Sequence, residues 1–190
     1  MEIDNLLISL LDSTQVNWKG RPVISEIIIR EYIPEKNPKD RDDLLAAFMS
    51  IWNHPDNLKY LSYTQKPFIE ETFRKFFSNH VEMGVHYYAA CNKEKDKCGI
   101  AVVGANPVEG FEMIGLGVQA NLKGKGIGTE LLKYVLNIAA ESDFKAVDAI
   151  VFADNIVMLR LLLSMGFIPV HMGYNLRADG ADTVRMRKSL

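Results

Sequence analysis

Residues 118–129, Val-Gln-Ala-Asn-Leu-Lys-Gly-Lys-Gly-Ile-Gly-Thr, constrain the fold more than any other segment. They leave an apolar stretch over 111–119 that reads as a strand. They open a stretch over 126–140 in which Ile127, Leu131, Leu132, Val135, Leu136 and Ala139 share one helical face. Gly124, Gly126 and Gly128 recur at every second position and let backbone approach a ligand without obstruction by a Cβ. The first turn of the following helix offers unpaired N–H donors and the positive end of the helix dipole. Together these make an anion site suited to a pyrophosphate, and Lys123 and Lys125 add positive charge. Other phosphate loops fit worse. A Walker A loop needs Gly at 119 and Ser or Thr at 126, where this chain has Gln119 and Gly126. A dinucleotide fingerprint starting at Gly124 needs Gly or Ala at 129, where Thr129 stands. An ordinary strand-to-helix turn, with glycine serving geometry alone, uses the same residues, and a short glycine pattern is a weak signal by itself.

The rest of the chain alternates strand and helix signals without an internal repeat or a low-complexity tract. Apolar spacing predicts a short helix over 2–12 and a β-branched strand over 24–29. Residues 42–52 place Leu44, Leu45, Phe48 and Ile51 on one helical face, and 53–57 read as a turn because Pro55 disfavours helix before it. A second helix is expected from Pro67 to about residue 80. Strands follow over 87–91, 98–105 and 111–119, joined by a charged hairpin and by a turn over 106–110. After the helix over 126–140 come a strand over 147–153 and a helix over 155–165 closed by Gly166. Strands over 167–174 and 183–186 complete the chain. The expected class is α+β, a mixed and mainly antiparallel sheet flanked by helices. The 190 residues suit one domain, 1–190, with residues 1–22 as an N-terminal extension.

Composition removes several function classes. Lys plus Arg number 22 against 24 Asp plus Glu, which leaves no electrostatic footprint for nucleic acid or an anionic membrane. The two cysteines, Cys91 and Cys98, flank the charged hairpin and read as two small strand residues rather than a disulfide or a metal site. The early charges are acidic and the first apolar run is short, so neither a signal peptide nor a membrane span is expected. A cytoplasmic location is the expectation.

The turn and its helix resemble motif A of the GNAT family of N-acetyltransferases, in which Arg or Gln is followed after two residues by Gly-x-Gly or Gly-x-Ala. Here Lys123 takes the first place and Gly126-Ile127-Gly128 the last. Residues 155–167 resemble motif B, from Asn155 to Gly166-Phe167. The resemblance covers the chain from about residue 87 onward, and more weakly the N-terminal elements. It implies an acyl-CoA N-acyltransferase fold whose sheet splays near Val118 and Ile150 to admit acetyl-CoA. The Lys123–Thr129 segment, through the amides of Gly124, Gly126, Gly128 and Thr129 and with Lys125 and Ile127 beside them, would face the pyrophosphate. Leu116, Gly117 and Val118 would pair with the pantetheine arm, and the Val118 amide would polarise the thioester carbonyl. Asn155 would hydrogen-bond the cofactor, cap its helix, or do both.

Two positions depart from the family. Many members carry a Tyr proton donor in motif B where this chain has Leu162, and some carry Glu where it has Ile150. Acid–base work must therefore come from elsewhere. Glu112, on the strand leading to Val118, is the candidate base, and strict alternation would place it on the face of Ile114, Leu116 and Val118. It is equally a solvated residue at a strand start. His86, His171, Tyr174 and Asp148 are weaker candidates. Trp52, Tyr60, Tyr63 and Phe68 could line an acceptor pocket or pack as core. The expected acceptor is a small-molecule amine or a protein N-terminus, with homodimerisation open. The competing expectation is an acyl-CoA sensor without turnover.

Overall fold

The computed structural model describes residues 27–79, 84–94 and 96–190. The helix expected over 2–12 and the start of the strand expected over 24–29 lie outside them. Among the described residues, seven strands form one open sheet. They are β1 (Ile28–Tyr32), β2 (Val85–Cys91), β3 (Lys97–Asn106), β4 (Gly110–Val118), β5 (Ala146–Phe152), β6 (Ile168–Gly173) and β7 (Thr183–Ser189). Their order across the sheet is β1-β2-β3-β4-β5-β7-β6, and every pair is antiparallel except β4 with β5.

Both faces of the central strands are covered, which is why β2 and β3 read as continuous apolar runs. On one face Tyr88, Ala90, Ala101 and Val103 pack under α4 (Ile127–Ala140) and α5 (Ile156–Ser164). On the other, Tyr87, Ala89, Ile100 and Val102 pack under α1 (Pro38–Ala47) and α3 (Glu70–Asn79). The six α4 residues singled out by periodicity are all buried. Each of the five larger side chains, Ile127, Leu131, Leu132, Val135 and Leu136, contributes about 2 kcal/mol on removal from water. Cys91 and Cys98 are both free, and they belong to opposite core layers, so no disulfide joins them.

The N-terminal helices depart from the sequence expectation. Asn37 accepts from the Lys39 amide at 3.0 Å and Pro38 takes the first helical position, so α1 starts four residues before residue 42. Residues Phe48–Trp52 widen into a π-helical turn. The expected turn over 53–57 instead contains the start of α2 (Pro55–Leu61), because the His54 ring accepts from the Asp56 amide at 3.3 Å and Pro55 fills the first turn. The second expected helix is α3, which begins at Glu70 rather than Pro67. Elsewhere the expected elements and the observed ones agree within three residues at each end.

Strand β4 carries two irregularities that set which way its residues face. Gly115 and Gly117 lie under the π-helical turn. A Cβ on Gly115 would come within 2.7 Å of the Trp52 ring, and one on Gly117 within 3.1 Å of Ile51. Glycine is required there by close approach of a neighbouring element. Across β3, Val102 pairs with Gly115 and Val103 with Met113, which leaves Ile114 as a one-residue bulge.

Candidate active site

The sheet splits where β4 leaves β5. The two strands pair only from Phe111–Val147 to Met113–Ala149, and β4 then runs on to Val118 without a partner on that side. The Gln119 amide donates to Cys98 O at 2.9 Å across the Gly99–Val118 pair. That pattern marks a non-hydrogen-bonded antiparallel pair, so the amide and carbonyl of Val118 turn away from β3 toward the open edge. The carbonyl accepts from the buried Asn57 Nδ2 at 2.9 Å. By alternation the backbone of Leu116 also points into the gap, whereas that of Gly117 pairs with Ile100. Gly117 thus serves the packing of Ile51 and Trp52, while Leu116 and Val118 present backbone to the gap.

The glycine turn closes one end of this gap. Gly124 has φ 77° and Gly126 has φ 89°, left-handed values that L side chains rarely adopt. Gly126 is the N-cap of α4 and supplies no capping side chain. The Glu130 amide is the first to bond within the helix, to Gly126 O at 3.0 Å. The amides ahead of it are left as outward donors at the positive helix end. A Cβ on Gly128 would make ordinary contact with Leu116 and Val118, so the turn sits directly against the end of β4. Lys123 Nζ donates to Asp56 O at 3.1 Å and ties the turn to α2. Burial pulls its ammonium pKa below the ordinary lysine value, and Asp56 opposes that shift.

Across the gap, Asn155 caps α5, its Oδ1 accepting from the Met158 amide at 3.2 Å. Among the described residues its Nδ2 donors have no partner and are left for a second one. Leu162 is fully buried in the core layer under α4 and α5, so no proton donor stands at that position. Ile150 is half-buried on β5, opposite Arg185 of β7.

The bulge at Ile114 corrects the expected orientation of Glu112. Upstream of it, Phe111 and Met113 face the α4 layer; downstream, Leu116 and Val118 do so, while Gly115 and Gly117 face Trp52. Glu112 therefore shares its face with Gly115 and Gly117, not with Leu116 and Val118. It pairs in register with Asp148 of β5. Among the described residues its carboxylate forms no hydrogen bond or ion pair. Burial raises its pKa above the ordinary glutamate value; Arg185 opposes this, and Asp148 and Glu109 add to it. Asp148 is already committed, bonded twice by Arg187 at 2.7 Å and once by Arg185 at 3.1 Å. The Arg187 hydrogen bond is the main cause that holds its pKa below the ordinary aspartate range. Glu112 is left as the carboxylate free to take a proton.

The other candidates separate by position. His86 bonds Glu31 at 2.8 Å where β2 meets β1, away from the split, and His171 and Tyr174 stand exposed on and just past β6. Trp52 and Phe68 belong to the core under α1 and α3. The Lys59 ammonium lies over the Tyr60 ring, 4.3 Å from its centroid, and Tyr63 packs edge-on to Phe152 at the gap with ring centroids 5.1 Å apart. Burial, then the Glu112 charge, raises its hydroxyl pKa. Arg177, which no sequence signal singles out, is the most heavily bonded side chain beside this site. Two of its three hydrogen-bond partners, Lys59 and Asp154, lie 118 and 23 residues away along the chain, so no local pattern marks the cluster.

Residues 41–167 match the sequence model of the acetyltransferase (GNAT) family. No curated protein sequence matches the chain. Among solved structures, an N-acetyltransferase from Staphylococcus aureus Mu50 superimposes with a TM-score of 0.70 at 20% identity, over 87% of this chain and 99% of that one. A ribosomal-protein-alanine N-acetyltransferase from Brucella melitensis gives 0.69 at 22% identity, over 86% and 99%. A GNAT superfamily phosphinothricin acetyltransferase from Sinorhizobium meliloti, solved with acetyl-CoA, gives 0.70 at 18% identity, over 86% and 88%.

Proposed function

The chain belongs to the acetyltransferase (GNAT) family, an acyl-CoA-dependent N-acyltransferase with acetyl-CoA as its cosubstrate, and on that premise we propose that it acetylates a primary amine by direct attack. The observation that carries this reading is the split between β4 and β5, lined by the Val118 amide and closed by the uncapped start of α4. The amides of residues 126–129 receive the pyrophosphate, with Gly124 shaping the turn and Lys123 and Lys125 supplying charge. Leu116 and Val118 pair with the pantetheine arm, and Asn155 offers its Nδ2 from the opposite wall.

The amine nitrogen attacks the acetyl carbonyl carbon, forming the C–N bond as the C–S bond breaks. The Val118 amide stabilises the oxygen that gains charge, an effect worth about 3 kcal/mol where a single such donor has been removed from other enzymes. Glu112 accepts the amine proton, directly or through water, and the departing thiolate takes a proton from solvent because Leu162 offers none. A single carboxylate base favours amines of low pKa. An α-amine is neutral about a tenth of the time at pH 7, a lysine side chain only about once in 2,500. A small-molecule α-amine or a protein N-terminus is accordingly the acceptor class. The site works in the cytoplasm, where acetyl-CoA and reduced thiols coexist.

Calorimetric titration with acetyl-CoA, beside a Gly128→Asp variant, tests the groove. Gly126 is unsuited to this experiment, since its φ of 89° would strain any replacement. Gly128 has ordinary space for a Cβ, and an acid in the first turn suits the helix dipole. The variant is expected to fold with α4 intact and to lose acetyl-CoA binding. Thiol release is then followed with L-amino acids, spermidine and an alanine-starting peptide. Acetyl-CoA binding without turnover of any of them would mark a sensor rather than an enzyme.

A further inference from the structure

The loop between β6 and β7, residues 174–182, closes on one buried guanidinium. Arg177 is 5% exposed, and each of its five N–H bonds finds an acceptor. Nε donates to Asp179 Oδ1 at 2.8 Å. Nη1 donates to Lys59 O and to Asp154 Oδ1, both at 3.0 Å. Nη2 donates to Asp154 Oδ2 at 2.7 Å and to Asp179 Oδ2 at 3.0 Å. Lys59 lies in α2, and Asp154 immediately precedes Asn155 on the cofactor wall. The same guanidinium lies over the Phe152 ring, 4.8 Å from its centroid.

These contacts continue into the segment that follows α2. The Ala178 amide donates to Tyr63 O at 2.8 Å, and Gln65 Nε2 donates to Asp179 Oδ2 at 2.8 Å. Tyr63 packs on Phe152 at the lip of the split, with 49% of its surface exposed. Two loops far apart in sequence and the end of β5 are thus fastened at one point, beside the face that carries Glu112.

We propose that Arg177 is a positioning residue for the acceptor amine: it fastens residues 62–66 to the β6–β7 loop, so that Tyr63 forms a fixed wall of the acceptor pocket at the mouth of the split. The inference rests on the proposed N-acetyltransferase reading and adds to it the residue that shapes the acceptor side. Lysine cannot replace this group, because one ammonium supplies three donors and no planar fork.

The test uses the full chain with Arg177→Lys and, as a milder variant that keeps the guanidinium, Asp179→Asn. Hydrogen exchange should quicken together over 62–66 and 174–182 in both variants, with 127–140 unchanged. Acetyl-CoA affinity should stay within about twofold, since Arg177 donates to Lys59, Asp154 and Asp179 and to no residue of the glycine turn. With the best amine of the panel, KM should rise by about tenfold or more while kcat changes by less than about threefold, the sign of lost acceptor positioning. Unchanged exchange in the two loops, or an unchanged KM beside a functional wild type, would overturn the assignment. So would parallel loss of acetyl-CoA affinity, kcat and thermal stability, which marks a plain scaffold residue. Absence of wild-type turnover with every amine would instead sink the N-acetyltransferase reading itself.

Discussion

Glu112, the proposed base, is the side chain on which the proposed chemistry turns. Its charge is disfavoured by burial, so the ionised form is held at a cost and accepts a proton readily. A base must be ionised to act. The rate should therefore rise with pH through a value above the ordinary glutamate pKa, and Glu112→Gln should abolish that limb. The same variant should lower kcat by about a hundredfold or more, the usual range for a lost general base. Stability should move the other way. A carboxylate whose folded pKa is raised makes the fold less stable once pH exceeds the unfolded pKa, so Glu112→Gln should hold or raise Tm at neutral pH. Thermal scans of both proteins at pH 5 and pH 7.5 check this; a lower Tm for the variant at pH 7.5 would contradict it.

At the level of elements, β4 and α5 carry opposite kinds of packing constraint. Gly115→Ala drives a methyl group into the Trp52 ring and should cost about 1–3 kcal/mol by overpacking. Leu162→Ala empties a fully buried site and should cost about 3 kcal/mol, with the pH–rate profile unchanged because the side chain has no acid–base part. Denaturant unfolding with pH–rate measurements separates the two claims. The elements around the proposed cofactor groove were legible because their signals are local. The α4 stripe, the Gly126 turn and the Asn155 cap each lie within a few residues of chain. What stayed hidden depends on contacts between distant segments. The bulge at Ile114 exists only in register with β3, and the Arg177 bonds reach 23 and 118 residues away. α2 was missed for a different reason. Pro55 reads as a breaker until His54 is seen capping it from the side.

For the molecule as a whole, acid stability should follow the arginine-bound aspartates. Hydrogen bonds from Arg187 hold Asp148 below the ordinary aspartate range, and those from Arg177 do the same for Asp179. A depressed folded pKa contributes stability above the unfolded value and loses it as pH falls through the folded one. Unfolding midpoints should therefore drop as pH falls below about 4, and Asp148→Asn should flatten that slope. A variant whose slope matches the wild type would remove Asp148 from the account. The single extra residue in β4 has a consequence for how such a protein can diversify. It acts as a frameshift within the strand. Upstream of it the even-numbered position, Glu112, faces away from α4, and downstream the even-numbered Leu116 and Val118 face toward it. Removing Ile114 would restore strict alternation without turning either flank: Met113, Leu116 and Val118 would still face α4, and Gly115 and Gly117 would still face Trp52. Because the face around Glu112 is separate from the one against α4, a lineage can rewrite it for a new amine without disturbing the proposed nucleotide grip.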